Sequence, residues 1–364
     1  MQVNDKMSMM IINFRNVLEE KKEVVWGEIR KYLSLIEKFP DYCKPPERYS
    51  PLIKFHRQIV SEYPLRKGKY LRPTLVLLTA GAMGFPQEKA IRTAAAMQVS
   101  EDWILNHDDI EDDSLERRGK PTLHRLYGRE LAINAGDTLH LLMWKILWDN
   151  RSLLGEKKAA RIAEEFYQML GRTTFGQTVE LFWTRKNKTD LIKEDILFIL
   201  ESKTAYYTIA GPMRLGAILA GANKKQLEAI YEFGKPLGYC FQIRDDILDL
   251  TSDFAGLKKQ KGNDIYEGKR TIMLVHLFQK AKGQVKKKLL KIIAKKREEK
   301  TAEEVEWVIE QMEKHGSFDY AQKMAENFAN QAFFIFEKKL GFLKVQPSRD
   351  QLKAGIDFIL KREY

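Results

Sequence analysis

The spacing of apolar residues constrains the fold of this chain more than any other feature of its sequence. Apolar side chains recur three and four positions apart along nearly the whole chain, as at Ala90, Ala94 and Met97. This spacing places them on one face of an α-helix, which completes a turn in about 3.6 residues. The alternation typical of half-buried strands is almost absent, and glycine and proline punctuate the helical stretches. The sequence therefore predicts an all-α protein.

Length and composition predict one large domain. The chain has 364 residues, of which 44% are hydrophobic, so it can bury a large core. No Ser/Gly-rich or Pro-rich stretch divides it, and we expect residues 1–364 to form a single domain. Two cysteines, Cys43 and Cys240, are too few and too far apart for a disulfide framework or a zinc site, which favours a reduced, cytoplasmic protein. Without a signal-peptide pattern or an apolar run of roughly 20 residues, we expect no transmembrane segment.

The net charge of +12 narrows the possible partners. A basic protein can bind nucleic acid, an anionic membrane surface or a polyanionic small molecule. Much of the excess lies between residues 280 and 300, where lysines alternate with apolar residues at helical spacing, as on an ordinary solvated helix face. A basic face with base-stacking aromatic residues is not visible, so a nucleic-acid partner is not favoured.

An acidic motif follows one of the apolar helical stretches. Five of the six residues from 108 to 113 are acidic, and Asp108 and Asp112 lie one helical turn apart on the same face. Neighbouring carboxylates repel each other, and the C-terminal end of a helix disfavours anions. A cation is therefore needed, and Mg²⁺, which binds one or two carboxylates together with substrate phosphates, is the natural candidate.

A second acidic motif repeats this arrangement in another apolar helical stretch. Asp245 and Asp249 again lie one turn apart, with the same Asp-Asp-x-x-Asp spacing. One such cluster alone is equally typical of an exposed acidic helix end. Two clusters with identical spacing predict a site that holds several metal ions around one polyanion.

Basic residues surround both motifs in the sequence. Arginine matches phosphate oxygens with a planar fork, and lysine acts as a mobile point charge. Each of these residues alone is more typical of a solvated surface, but their repeated placement predicts a substrate that carries phosphates. They are Lys67, Lys69 and Arg72 before the first motif, Arg117, Arg118 and Lys120 after it, and Lys258, Lys259, Lys261 and Lys269 after the second.

The sequence resembles the trans-isoprenyl diphosphate synthases, the family that contains farnesyl and geranylgeranyl diphosphate synthases. The resemblance covers about residues 63–271 and includes both aspartate motifs and Gly68-Lys69-x-x-Arg72-Pro73. It implies a single helical bundle of the isoprenoid synthase type around a central cavity. It also implies a homodimer that condenses isopentenyl diphosphate head to tail (1'-4) with allylic diphosphates and releases diphosphate.

The resemblance also implies a role for individual residues. Asp108 and Asp112 would bind two Mg²⁺ ions, while Asp245 would hold a third with support from Asp249. The allylic diphosphate would be held by Arg117, Lys203, Thr204, Gln242, Lys259 and Lys269, and isopentenyl diphosphate by Lys69, Arg72 and Arg118. Of these residues, the catalytic set would be Asp108, Asp112, Arg117, Lys203 and Asp245.

Two positions depart from the family pattern. Glu180 stands where the family usually carries Asp, so the charge is kept on a longer arm. Glu101, seven residues before Asp108, stands where the family generally has His or Gln in the isopentenyl diphosphate site. A carboxylate there would repel a diphosphate, so Glu101 must pair with a cation, be protonated or turn away.

In this family, side chains one and two turns before the first motif form the floor of the elongation channel. Here they are Trp103 and Ile104, with Ser100 eight positions before Asp108. The resemblance to archaeal geranylgeranyl synthases, which carry an aromatic residue five positions before the motif and an aliphatic one at four, favours a C20 product, with C15 second. Trp103 could instead be an ordinary core residue.

Three other functions compete with this interpretation. A terpene cyclase of the same fold needs neither the isopentenyl diphosphate (acceptor) site at Lys69 and Arg72 nor a second Asp-Asp-x-x-Asp motif. A non-catalytic synthase subunit would be expected to lose motif aspartates, and all are intact here. A nucleic-acid-binding protein is suggested only by the net charge. A magnesium-dependent assay with isopentenyl diphosphate discriminates among them.

Overall fold

The computed structural model describes residues 12–251 and 261–360, whose regular structure is almost entirely helical. This confirms the all-α prediction. Two strands of two residues each, β1 (Glu116–Arg117) and β2 (Lys120–Pro121), pair as an antiparallel hairpin. The helices are α1 (Phe14–Leu33), α2 (Ser50–Arg66), α3 (Leu71–Ala82), α4 (Gln87–Glu111), α5 (Leu123–Tyr127), α6 (Arg129–Leu154), α7 (Glu156–Arg185), α8 (Lys193–Ile199), α9 (Gly211–Leu219), α10 (Lys224–Thr251), α11 (Asn263–Glu267), α12 (Ile272–Lys280), α13 (Gly283–Ile293), α14 (Ala302–Lys314), α15 (Ser317–Lys339) and α16 (Ser348–Leu360).

The two motif-bearing helices are buried in different parts of the core. Helix α4 packs along α6, and its apolar face joins one cluster with residues such as Met97 and Leu139. Helix α10 packs along α15, and its apolar face joins a second cluster with Phe233 and Cys240. The packed face of α10 is mostly apolar, as the three- and four-residue spacing predicts, whereas α4 also buries polar residues such as Gln98, Asp102 and Asn106. The burial of these faces fixes the direction in which the polar residues at each C-terminal end point.

A wide π-helical segment, Leu200–Ala210, joins α8 and α9 without a break. Such segments are rare and occur frequently at functional sites. This one packs between α7 and α10, and it carries Lys203 and Thr204.

Two glycines allow α7 and α10 to approach the π-helical segment closely. A Cβ atom on Gly238 of α10 would lie 2.3 Å from the Cα of Ala205, and one on Gly176 of α7 would lie 3.2 Å from the backbone nitrogen of Lys203. Any larger residue at Gly238 would therefore push the helices apart. One turn beyond these glycines stand Gln242 and Glu180, so the close approach brings both side chains to the π-helical segment.

Among the described residues, no helix is both long enough and apolar enough to cross a membrane.

Candidate active site

The first aspartate motif meets the π-helical segment at Asp108. The Nζ of Lys203 lies 3.2 Å from Oδ1 of Asp108 and 2.6 Å from Oε2 of Glu180. Burial alone would raise the pKa of Asp108, but the positive charges of Lys203, Lys269 and Arg117 outweigh it and hold the pKa below its usual range. Asp108 is therefore an anion in contact with cations, as a metal-binding carboxylate must be.

Asp112 caps the C-terminal end of α4 and meets a second lysine. The Nζ of Lys269 lies 3.2 Å from Oδ2 of Asp112, and it also contacts Oε2 of Glu267 at 2.8 Å and Oδ1 of Asp264 at 3.8 Å. Burial, together with the negative charges of Asp108 and Glu267, raises the pKa of Asp112 although Lys269 opposes the shift. Oδ2 of Asp112 is buried and accepts no hydrogen bond of good geometry, so this oxygen has an unused acceptor site.

Asp109, the second residue of the first motif, points away from Asp108 and has a different environment. Its carboxylate accepts hydrogen bonds from Nε of Arg117 at 3.0 and 3.1 Å and from the hydroxyl of Tyr63 at 2.5 Å. The side chain is completely buried, and a two-pronged arginine contact is the arrangement that best compensates a buried carboxylate. Asp109 therefore ties α4 to α2 and to the β-hairpin, and it places Arg117 3.9 Å from Asp108.

The second motif meets the same π-helical segment one residue further along. The hydroxyl of Thr204 donates to Oε1 of Gln242 at 3.0 Å, and Nε2 of Gln242 donates to Oδ1 of Asp246 at 2.8 Å. Burial, with the nearby Asp245 carboxylate, raises the pKa of Asp246. Oδ2 of Asp249 accepts the backbone N–H of Asp264 at 3.0 Å, which holds the segment that leads to Lys269. Asp245 is half-buried on the same helix.

A second basic cluster lies around Glu101, about two helical turns before Asp108 on α4. Nη1 of Arg72 lies 3.2 Å from Oε1 of Glu101, and Nη2 of Arg118 lies 3.7 Å from the same oxygen. Arg118 can come this close because residue 68 is glycine, whose added Cβ would lie 2.8 Å from Nη2. Of the alternatives that the sequence leaves open for Glu101, the structure shows pairing with cations. Lys69, three residues before Arg72, is exposed.

The three residues predicted to set product length lie on α4 in different surroundings. The half-buried Trp103 stacks on His140 of α6, with ring centroids 4.0 Å apart and an angle of 11° between the planes. Ser100 is buried, and its Oγ lies 3.0 Å from the hydroxyl of Tyr207 in the π-helical segment. Ile104 is half-buried in the same apolar cluster as Trp103. The tryptophan thus faces α6, while Ser100 faces the π-helical segment.

These carboxylates suit magnesium better than a metal that needs a complete cage of protein ligands. Within residues 12–251 and 261–360, no three His, Cys, Asp or Glu side chains are arranged to hold a metal by themselves. Mg²⁺ does not require such a group, because it binds through one or two carboxylates and completes its shell with phosphate oxygens and water. The unused acceptor of Asp112, one turn from Asp108, fits that requirement.

The structure brings most of the predicted residues together. Asp108, Arg117 and Lys203 are in contact, Asp112 contacts Lys269, Thr204 contacts Gln242, and Arg72 and Arg118 converge on Glu101. Lys259 lies outside the described residues. Sequence reasoning missed Glu267, which accepts hydrogen bonds from Ser114 at 2.7 Å and Asn263 at 2.8 Å and joins the segments that follow the two motifs. No spacing in the sequence marks Glu267, because its contact with Ser114 joins residues 153 positions apart.

Comparison with known proteins identifies the family and the fold. The model of the polyprenyl synthetase family matches residues 54–312. The short chain isoprenyl diphosphate synthase of Methanothermobacter thermautotrophicus is 32% identical over 297 residues, which cover 82% of this chain and 87% of that protein. The geranylgeranyl diphosphate synthase of Methanosarcina mazei is 31% identical over 342 residues, 93% of this chain and 98% of that protein. A solved structure, the geranylgeranyl pyrophosphate synthetase from Pyrococcus horikoshii, matches with a TM-score of 0.79 and 28% identity, covering 96% of this chain and 99% of that one.

Proposed function

The chain belongs to the polyprenyl synthetase family, and we propose that it joins isopentenyl diphosphate head to tail (1'-4) to allylic diphosphates, with geranylgeranyl diphosphate as its main product. The predicted helical bundle of the isoprenoid synthase type is confirmed by the likeness in fold. The terpene cyclase and the non-catalytic subunit are not favoured by these relatives. We also propose that residues 1–364 form one synthase domain.

The strongest support for this proposal is that acidic and basic side chains alternate along a single surface. Asp108 contacts Lys203, which contacts Glu180, while Asp112 contacts Lys269. A complex of magnesium and diphosphate presents both signs of charge and can replace these mutual contacts with its own. Carboxylates would turn to the metal, and ammonium groups would turn to the phosphate oxygens.

We assign the metal ligands accordingly. Asp108 and Asp112 would hold two Mg²⁺ ions, and Asp245, supported by Asp249, would hold a third. When bound, Mg²⁺ would neutralise the diphosphate group of the allylic substrate and ease the departure of that group. The residues of the chain contribute by aiming these carboxylates at one place, and the cations around Asp108 also keep that carboxylate ionised.

The basic residues divide into two groups by position, which supports two separate diphosphate sites. Lys203, Lys269 and Arg117 lie among the motif aspartates, where we place the allylic diphosphate together with Thr204, Gln242 and Lys259. Preorganised cations at this place stabilise charge that develops on the departing diphosphate. The second group, Arg72, Arg118 and Lys69, would hold isopentenyl diphosphate, whose double bond would attack the allylic cation. The released diphosphate would then take up the proton that the isopentenyl unit loses.

The residues before the first motif support a short product. Trp103 fills one side of α4 with an indole stacked on His140, and a large side chain at this place would stop the growing chain. We propose that Trp103 closes the channel with Ile104, and that Ser100 lies on its wall. This floor favours the C20 product over longer polyprenyl chains, and the relatives do not favour the C15 alternative.

Exposed apolar residues support a homodimer. Leu141 and Trp148 on α6 are 68% and 64% exposed, and Tyr167, Phe175 and Phe182 on α7 are 64%, 58% and 53% exposed. Spacings of seven and eight residues put each set on one helix face, and such a patch suits a two-fold interface.

The free thiols of Cys43, which is exposed, and Cys240, which is buried, fit the proposal of a cytoplasmic enzyme.

The proposed function is tested by incubating the purified protein with isopentenyl diphosphate and dimethylallyl, geranyl or farnesyl diphosphate, with and without Mg²⁺. Products are dephosphorylated and separated by chain length. We expect magnesium-dependent formation of a C20 alcohol. Cyclic hydrocarbons would indicate a terpene cyclase, and a protein inactive with every primer would not be a synthase on its own.

A further inference from the structure

Glu101 lies where the two half-buried arginines of the proposed acceptor site converge. One oxygen, Oε1, lies 3.2 Å from Arg72 and 3.7 Å from Arg118. The side chain is 12% exposed, and its other oxygen, Oε2, is buried and accepts no hydrogen bond. A carboxylate oxygen between two guanidiniums takes the same kind of position that a phosphate oxygen takes in an arginine site.

Both arginines are also held by groups other than Glu101. Nη2 of Arg72 donates to Oγ1 of Thr208 at 2.8 Å, and its guanidinium lies 4.8 Å from the centre of the Tyr207 ring. Nη1 of Arg118 donates to the carbonyl oxygen of Tyr63 and to Oδ1 of Asp102, each at 3.0 Å. Removing the charge at Glu101 therefore leaves both guanidiniums aimed at the same place.

The charges of this cluster nearly cancel. The two guanidiniums face the carboxyl groups of Glu101 and Asp102, so little net positive charge remains for an incoming diphosphate. A diphosphate that reaches the arginines must displace the Glu101 side chain or bind beside its negative charge. Either event weakens binding relative to a site with an uncharged residue at this position.

We propose that Glu101 competes with the acceptor diphosphate for Arg72 and Arg118 and so sets a weak affinity for isopentenyl diphosphate. This rests on the proposed function, which places the acceptor diphosphate at these arginines. The relevant property of Glu101 is its charge, because a glutamine of the same length would keep an oxygen between the arginines and would not repel the ligand.

The test is Glu101→Gln, with Glu101→His as a second variant that also removes the carboxylate. Binding of isopentenyl diphosphate alone is measured by calorimetry, and its KM is measured at a saturating concentration of the allylic substrate. We expect the dissociation constant of Glu101→Gln to fall about tenfold, which corresponds to about 1.4 kcal/mol. The KM for isopentenyl diphosphate should fall with it, and the KM for the allylic substrate should not. Melting curves verify that each variant is folded.

Glu28→Gln is the matched control. The Glu28 side chain is also 12% exposed and also contacts two cations, Lys31 at 2.8 Å and Arg92 at 3.4 Å, but it lies on α1. Losing a carboxylate there should leave the affinity for isopentenyl diphosphate unchanged. A gain in affinity in this control equal to that of Glu101→Gln would overturn the proposal, because the effect would then reflect net charge alone.

Arg72→Ala separates failure of this inference from failure of the proposed function. If Arg72→Ala weakens acceptor binding while Glu101→Gln leaves it unchanged or weaker, the acceptor site stands and competition by Glu101 is wrong. If Arg72→Ala has no effect on acceptor binding, the site itself is misplaced and the inference falls with it.

Discussion

The two aspartate motifs share one spacing, yet the structure surrounds them differently. In the first motif, Asp109 accepts hydrogen bonds from Arg117 and Tyr63, and Asp112 lies 3.2 Å from Lys269. In the second motif, Asp246 accepts a hydrogen bond from a glutamine amide, and Asp249 accepts one from a backbone N–H. The spacing within a helix fixes which carboxylates share a face, whereas the residues that meet them come from other elements. Identical motifs can therefore occupy unlike electrostatic environments.

The contrast extends to the residue five positions before each motif. Trp103 precedes Asp108 by five and stacks half-buried on His140, while Cys240 precedes Asp245 by five and is fully buried in the other apolar cluster. The two residues have the same position relative to their motifs, but their side-chain volumes and packing partners differ. Only a large side chain at this position can act as a floor, so product length should depend on the first motif helix and not on the second.

The largest effect should come from Asp108→Ala and Asp245→Ala, which ask whether both motifs bind metal despite their different surroundings. Loss of a metal-binding carboxylate removes several kcal/mol of transition-state stabilisation, so kcat should fall by about 10²- to 10⁴-fold. Circular dichroism should show a folded protein, because Lys203 retains its contact with Glu180. Near-normal turnover in either variant at saturating magnesium would remove that motif from the metal site.

Asp113→Asn is the control for these substitutions. Asp113 closes the first acidic run, but its carboxylate turns to Arg125 at 2.8 Å and Arg129 at 3.5 Å. Its φ of 52° is one that asparagine tolerates well. Activity should be retained in this variant, which would show that position rather than acidity matters.

The next effect should separate the two basic groups. Lys203→Ala should raise the KM for the allylic substrate, and Arg72→Ala the KM for isopentenyl diphosphate. Each change should be about 10- to 100-fold, as expected for a charge-assisted hydrogen bond worth about 1.5–3 kcal/mol. Steady-state kinetics with each substrate varied in turn measures both constants. A rise in the same constant in both variants would contradict two separate diphosphate sites.

A smaller change is expected for Trp103→Ala, with Cys240→Ala as its counterpart in the second motif helix. Removing the indole should admit a further isoprene unit, since each additional buried CH₂ gains about 0.8 kcal/mol. Products should shift from C20 toward C25 and beyond, while Cys240→Ala should leave the length unchanged. If Trp103 is only a core residue, the variant should lose roughly 3–5 kcal/mol of stability without a change in product length. Chromatography of dephosphorylated products beside melting curves distinguishes the outcomes.

The smallest effect should come from Thr204→Val, which removes the donor to Gln242 and so loosens the second motif alone. The lost hydrogen bond should lower the free energy of unfolding by about 0.5–1.5 kcal/mol. The KM for the allylic substrate should rise only a few-fold, far less than in Lys203→Ala. A loss as large as that of Lys203→Ala would mean that the Thr204 hydroxyl contacts substrate more strongly than the lysine does.

Much of this molecule follows from local patterns in the sequence. The all-α fold follows from apolar spacing, and the pairing of Asp108 with Asp112, and of Asp245 with Asp249, follows from the helical repeat. The role of Asp109 does not follow from a local pattern. Its position one residue from Asp108 shows that it points elsewhere, but its contacts with Tyr63 and Arg117 depend on how α2 and the β-hairpin pack against α4.

The sequence by itself determined the helical character of the fold and the face on which each aspartate stands, because these depend on residues a few positions apart. Only the tertiary structure decided which cation meets which carboxylate. Lys203 reaches Asp108 from 95 residues away, and Glu101 meets both Arg72 and Arg118. Gly238, Gly176 and Gly68 permit close approaches between separate segments, and no periodicity within one helix encodes the distance between two helices.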